Sequence, residues 1–310
     1  MTANSAAAAT AHPRLLDWLT LGGLVVAWGS SFAMTKIAVG HLDAAWVMAL
    51  RLAIGGVFLL AVLYASGRRL PADPRLWRWF AWLGLIGHAL PFFLISWGTQ
   101  FVSSGLSGVL MGAIPLFVIV LAHFFLPDEP MTRAKAAGFV IGFVGLMIVL
   151  GPDRLSGFSA ESDALKGEAA ILLGCICYAV HGLFARNIPF HGPAEQATAV
   201  CLVAGAMGIV FALLVDPHGL NDVPWPAFAA VAGLGILPTA LATLMMYRIM
   251  RTVGVTFVAY SNYLVPVYAL GFGAITLGET LDWTVAAGLA LIIAGIAASR
   301  FAPSRRKGTT

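Results

Sequence analysis

Charge is what this sequence has least of. Only 10% of its 310 residues are charged, against about 25% in an ordinary soluble domain. Sixty per cent are hydrophobic and the mean hydropathy is +0.89, more apolar surface than a soluble globule needs, so a bilayer is the expected environment. Three cysteines are too few for a disulfide framework. Cys175, Cys177 and Cys201 fall inside apolar runs, away from ligand-spaced loops, which makes them small core residues and leaves no metal site to expect. The sequence has no HExxH, no Gly-rich phosphate loop and no closely spaced His/Asp set, which argues against a membrane enzyme such as a lipid-modifying transferase. It has no soluble domain that could pass on a signal, which argues against a sensor or scaffold. The Ala-rich stretch up to Pro13 precedes the first apolar run, so it does not have the form of a cleaved leader, and the first helix is expected to stay as an anchor.

A hydrocarbon core about 30 Å thick takes about 20 apolar residues of helix. Ten such runs lie between charge, Pro or Gly: Leu15 to Val39, Ala44 to Tyr64, Trp77 to Trp97, Val102 to Leu126, Ala134 to Leu150, Leu165 to Arg186, Ala194 to Val215, Trp225 to Met246, Val253 to Leu277 and Trp283 to Arg300. Cytoplasmic ends collect Lys and Arg. With the N-terminus inside, that side gathers 14 of the 18 basic residues, including Arg14, Arg68, Arg69, Arg248, Arg251, Arg305, Arg306 and Lys307, while the outside holds Lys36, Arg154 and Lys166, and Arg51 lies within a helix. Both termini are therefore expected in the cytoplasm, in a multi-pass protein of a bacterial inner membrane. This distribution also explains the net charge of +4 without nucleic acid as a partner. Trp77, Trp79, Trp82, Trp225 and Trp283, at segment ends, fit an interfacial belt.

The chain also matches itself. A shift of about 150 residues lays Trp28 on Tyr178, Lys36 on Arg186, His41 on His191, Gly55 on Gly205, Glu129 on Glu279, Gly138 on Gly288 and Gly145 on Gly295, and Pro115 meets Pro266 after one inserted residue. Each copy carries five runs. An odd number of crossings makes the second copy enter from the opposite face, so the copies should be related by a pseudo-two-fold axis in the membrane plane. Two opposed halves offer two similar conformations, one open to each side, which favours transport over a static role.

The stretch Trp28-Gly29-Ser30-Ser31-Phe32 ending in Lys36, Arg51, Pro115 followed by Phe117, and the Glu129 and Glu279 segments leading into Gly138 and Gly288 resemble the paired EamA domains of the drug/metabolite transporter superfamily. The resemblance runs from about Leu15 to Arg300. It gives a tail at 1–14, a first five-helix repeat at 15–150, a linker at 151–166, a second repeat at 167–300 and a basic tail at 301–310. Within the superfamily the chain is similar to the YddG-type aromatic amino acid exporters. That likeness implies an all-α basket of ten helices around a cavity formed by the first, third, fourth, sixth, eighth and ninth. The second copy departs from the pattern, with Tyr178-Ala179-Val180-His181 where the first has Trp28-Gly29-Ser30-Ser31.

The helix centres offer aromatic, Met and small polar surface, suited to a flat apolar body with a few polar handles. The residues expected to bind substrate are Trp28, Ser31, Phe32, His88, Trp97, Met111, Tyr178, His181, Tyr260, Asn262 and Tyr263. For each aromatic the alternative is packing or a place in the belt. Pro115 and Pro266, in matching helices, are the candidate gating residues, since proline frees a carbonyl and permits a bend; a plain kink is the alternative. Arg51 could be structural, snorkelling or bonded to carbonyls, or could attract carboxylates. Gly108, Gly112, Gly138 and Gly142 read as close-packing positions, and Glu129 and Glu279 as groups that satisfy helix-start amides or stabilise loops.

No carboxylate is expected at mid-membrane, because Asp17 and Glu168 sit near segment ends. Small multidrug pumps of the same superfamily depend on one in their first helix, so the resemblance implies facilitated export over obligatory proton antiport. Sugar phosphates would want paired cations, and the helix centres offer at most Arg51. The expectation is a secondary exporter of amphipathic metabolites, aromatic or other neutral amino acids, with multidrug or nucleobase-type export as the alternative. No cofactor is expected. The partners are a small-molecule substrate and membrane lipids, with monomer and weak homo-oligomer both open.

Overall fold

The computed structural model describes residues 13–126, 129–151, 162–185 and 192–300. The tails at 1–12 and 301–310, Arg154, Arg186, His191 and most of the expected linker lie outside the described residues.

Among the described residues all regular structure is helical. The helices are α1 (Leu15–Val39), α2 (Ala44–Ala65), α3 (Pro74–Thr99), α4 (Ser104–Phe125), α5 (Arg133–Leu150), α6 (Asp163–Phe184), α7 (Pro193–Val215), α8 (Trp225–Thr252), α9 (Val255–Leu277) and α10 (Trp283–Arg300). Among the described residues the first nine are long and apolar enough to cross a membrane, and Trp283–Ser299 is a shorter apolar helix. Short polar side chains start several of them by accepting from otherwise orphaned amides. Asp43 takes the Ala45 amide at 2.7 Å, Asp73 that of Arg75 at 2.8 Å, Ser103 that of Leu106 at 3.1 Å and Thr132 that of Lys135 at 3.2 Å. Asp73 starts α3 three residues earlier than the apolar run suggests.

Four helices are irregular. A π-helical turn occupies Leu85–Ala89 in α3, just before Pro91, and another occupies Gly235–Leu241 in α8, around Pro238. α4 pauses at Gly112 and Ala113 ahead of Pro115, and α9 pauses at Ala259 and Tyr260 ahead of Pro266. Proline removes an amide donor and crowds the preceding turn, and a π turn is one way to absorb that.

Close contacts at small residues fix how the helices pair. Gly205 packs on the Leu52–Ala53 backbone and Gly208 on Met48 and Ala49, so α2 and α7 run antiparallel. Gly98 lies against Gly167, Gly174 against Ile95 and Gly87 against His181, which does the same for α3 and α6. Gly23 meets Met245 and Gly233 meets Met34, pairing α1 with α8. Gly105 meets Leu270 and Gly112 meets Pro266, pairing α4 with α9. In α5 and α10, Gly138 abuts the Gly295 carbonyl and Gly145 that of Gly288, where even a methyl group would strike backbone. The expected packing role of Gly108, Gly112, Gly138 and Gly142 thus has specific partners: Ala269, Pro266, Gly295 and Leu116.

The outward faces carry exposed Val57, Phe143, Val210, Leu214, Val267 and Ile275, a girdle suited to lipid. Trp79, Trp82, Trp225 and Trp283 are exposed, in keeping with a belt. Trp77 differs: it is half-buried against Phe80 and donates its indole N–H to the Pro71 carbonyl at 3.0 Å. Cys175, Cys177 and Cys201 are buried free thiols.

Candidate functional site

A cavity of about 440 Å³ occupies the centre of the bundle, within the range of about 300–1,000 Å³ usual for small-molecule sites. α1, α2, α3, α4, α6, α7, α8 and α9 all contribute to its wall. Nine residues singled out in the sequence line it: Trp28, Ser31 and Phe32 from α1, His88 from α3, Met111 from α4, Tyr178 and His181 from α6, and Asn262 and Pro266 from α9.

Four do not. Trp97 stacks edge-on against Phe101, with ring centroids 4.9 Å apart. Tyr260 is exposed and lies over Trp18 at 6.3 Å. Tyr263 packs on the core shared by α4, α5 and α10. Pro115 starts the second half of α4, while its neighbours Met111 and Ile114 reach the cavity.

The π turns were the feature sequence reading missed, and they carry much of the wall. Pro238 has no amide to donate to the Leu234 carbonyl four residues back. The Thr239 hydroxyl donates to that carbonyl at 2.8 Å instead. The oxygen of Thr239 in turn accepts the Arg51 Nε–H at 2.9 Å, and the Pro238 carbonyl accepts the Trp28 indole N–H at 3.2 Å. A signal existed: Leu83-Gly84-Leu85-Ile86-Gly87-His88-Ala89-Leu90 aligns with Leu234-Gly235-Ile236-Leu237-Pro238-Thr239-Ala240-Leu241, which pairs His88 with Thr239.

Arg51 does not snorkel, and among the described residues it bonds to the Thr239 hydroxyl and to no carbonyl. It is 8% exposed and turns into the cavity, with its guanidinium 3.8 Å from the centroid of Phe92. His88 sits against Phe92 at 6.0 Å and against His181 at 5.9 Å, and Phe92 against Tyr178 at 6.3 Å. The His88 Nδ1 is buried with no hydrogen-bond partner among the described residues. Ser31 is locally satisfied, donating to the Trp28 carbonyl at 2.6 Å.

The two ends of the cavity differ. At one end a groove lined by Ser66, Arg68, Arg248 and Arg251 adjoins the cavity, and Leu59, Ala197, Thr243 and Tyr247 line both. The Arg68 guanidinium spans both Glu195 oxygens at 2.7 and 2.6 Å, tying α2 to α7 beside this mouth. At the other end the wall stops at Thr35 and Ile95. Beyond it, the Lys36 ammonium donates to the carbonyls of Thr99, Gln100 and Val102 at 2.9, 3.2 and 2.7 Å. Next to it, Glu279 accepts from the Ser104 and Gly105 amides at 2.6 and 2.9 Å and from the Ser104 hydroxyl at 3.0 Å. Glu279 does satisfy helix-start amides, but those of α4, across from its own position before α10. A carboxylate on the positive end of a helix is favourable twice over, through the donors and through the dipole.

The family model of EamA-like transporters matches residues 18–151 and again residues 165–301. The chain belongs to the EamA-like transporter family. It is a multi-pass membrane transporter built from two EamA segments. Its relatives include the uncharacterized transporter YoaV of Bacillus subtilis, 27% identical over 90% of this chain and 95% of its own length. A probable terminal-alkyne amino-acid exporter of Streptantibioticus cattleyicolor is 27% identical over 88% of this chain and 89% of its own. A solved crystal structure superimposes with a TM-score of 0.63 at 22% identity, over 93% of this chain and 97% of that one, and so has the same fold. In this EamA protein the cavity draws on both segments.

Proposed function

We propose that the protein is a secondary transporter that exports small amphipathic metabolites, aromatic or other neutral amino acids, in the manner of the YddG-type exporters. It works by alternating access around the central cavity. The observation that carries this is the cavity itself, aromatic in its wall, with a groove adjoining one end and the hydrogen-bonded Lys36 and Glu279 beyond the other. The kinship with a probable amino-acid exporter supports the choice of substrate class.

The ten helices form two inverted five-helix halves, at about 15–150 and 167–300. The α5/α10 contacts support that symmetry. Gly138 meets Gly295 and Gly145 meets Gly288, and shifting both members of the first pair by the repeat interval returns the second with the roles exchanged, as a two-fold relation requires. The pairing of α3 with α6 and of α8 with α1 exchanges in the same way. Both termini are cytoplasmic in a bacterial inner membrane, so the Arg68–Arg251 mouth faces the cytoplasm, where the positive-inside bias puts basic residues. Pro238 and Pro266 supply the bends and Pro115 the restart of α4. Trp28, Phe32, Met111 and Tyr178 hold the apolar body, while Ser31, His88, His181 and Asn262 provide polar contacts. Among the described residues no Asp or Glu lines the cavity, which supports facilitated movement over obligatory proton antiport.

Purified protein in liposomes loaded with unlabelled phenylalanine should take up labelled phenylalanine, tryptophan and leucine by exchange, with no pH gradient applied. Exchange of a drug or nucleobase panel in place of amino acids would move the substrate class. Flux seen only under a pH gradient would overturn the facilitated mechanism.

A further inference from the structure

We infer that Arg51 is the receptor for a substrate carboxylate, so that the transported class is amphipathic carboxylates and an α-amino group adds no affinity. The inference rests on the reading of the cavity as the transport site and adds the charge its occupant must bring.

The Arg51 side chain is held by two contacts. Its Nε–H is bound to Thr239 and one face of the guanidinium lies on Phe92. A guanidinium carries five N–H donors, and among the described residues neither Nη group makes a hydrogen bond within the protein. The two anchors fix the plane and leave the outer edge, the fork that fits a carboxylate with two parallel bonds, facing the cavity. No carboxylate lines the cavity among the described residues, so this buried charge has no counter-charge in the wall. A charge at this depth is costly unless paired, and a bound anion would supply the missing pair. The aromatic groups around it, Phe92, Tyr178 and Trp28, leave room for an apolar body within reach of the fork.

The same absence decides what happens to an ammonium group. A zwitterion can place its carboxylate on Arg51, but its ammonium then meets no Asp or Glu. An amine without a carboxylate would bring a second positive charge beside an unpaired first. Deaminated analogues should therefore bind at least as well as the amino acid, and amines poorly.

Three compounds with one aromatic body make the test: 3-phenylpropionate, phenylalanine and phenethylamine, titrated calorimetrically into the purified protein. Phenylpropionate should bind at least as tightly as phenylalanine, and phenethylamine about 30-fold more weakly or worse. Arg51→Gln should weaken phenylpropionate by a similar factor without weakening phenethylamine, and Arg51→Lys should keep the order. The order in the unaltered protein decides the matter even if R51Q does not fold. Equal binding of all three would overturn the role of Arg51 and leave the aromatic transport site standing. Binding of none would overturn both.

Discussion

The two ends of the cavity are built from related sequence and behave differently. Glu279, before α10, reaches across to the start of α4 and holds two amides and a hydroxyl. Its repeat counterpart Glu129, before α5, pairs at 3.2 Å with Lys135 of its own half. A contact joins the halves at each end, Glu279 to the start of α4 at one and Arg68 to Glu195 at the other, while Lys36 binds carbonyls of its own half and a groove adjoins the Arg68 end. Under the proposed two-fold relation, equivalent residues of the two copies can make the cover at either end in turn.

That comparison can be broken at its stronger end first. Lys36→Met leaves three carbonyls without their charged donor, each bond worth about 1.5–3 kcal/mol. Three such bonds set an upper range of about 4.5–9 kcal/mol on the shift of the balance between the two conformations toward opening at this end. A cysteine placed at Thr35 in a cysteine-free background should then react with an impermeant thiol reagent from the Lys36 side. Glu279→Gln keeps the shape but loses the charge on the α4 amides, and the same assay should register a shift of about 2–3 kcal/mol.

Gly145→Ala tests the symmetric packing instead of the gate. Its methyl group would press on the Gly288 carbonyl and the Ile292 amide, and thermal melting in detergent should report a loss of about 1–3 kcal/mol, with Gly288→Ala costing a similar amount.

Much of the fold was legible because lipid and length impose it. Runs of about 20 apolar residues could hardly be anything but membrane helices, and glycines repeated at a constant interval marked where helices touch. Facing was harder to read. In a soluble helix the polar side marks the surface, but here lipid and protein interior are equally apolar, so Tyr263 and Met111 looked alike: both pack on the same core, and of the two Met111 also lines the cavity. Tyr260 and Trp97 were misleading for the same reason. Arg51 was visible as a charge, but its direction depended on Thr239, whose hydroxyl is oriented by donating to the Leu234 carbonyl that Pro238 has no amide to serve. That chain of causes crosses 188 residues of sequence and follows from tertiary structure alone.

Distances between spin labels test the central claim most directly. In a cysteine-free background, one pair at His41 and Thr280 would report on the Lys36 end and another at Ser66 and Arg251 on the groove. On adding Lys36→Met the first distance should lengthen and the second shorten, in the same fraction of molecules. Two distances that move together, or a groove that stays open whatever happens at Lys36, would contradict alternation between the ends.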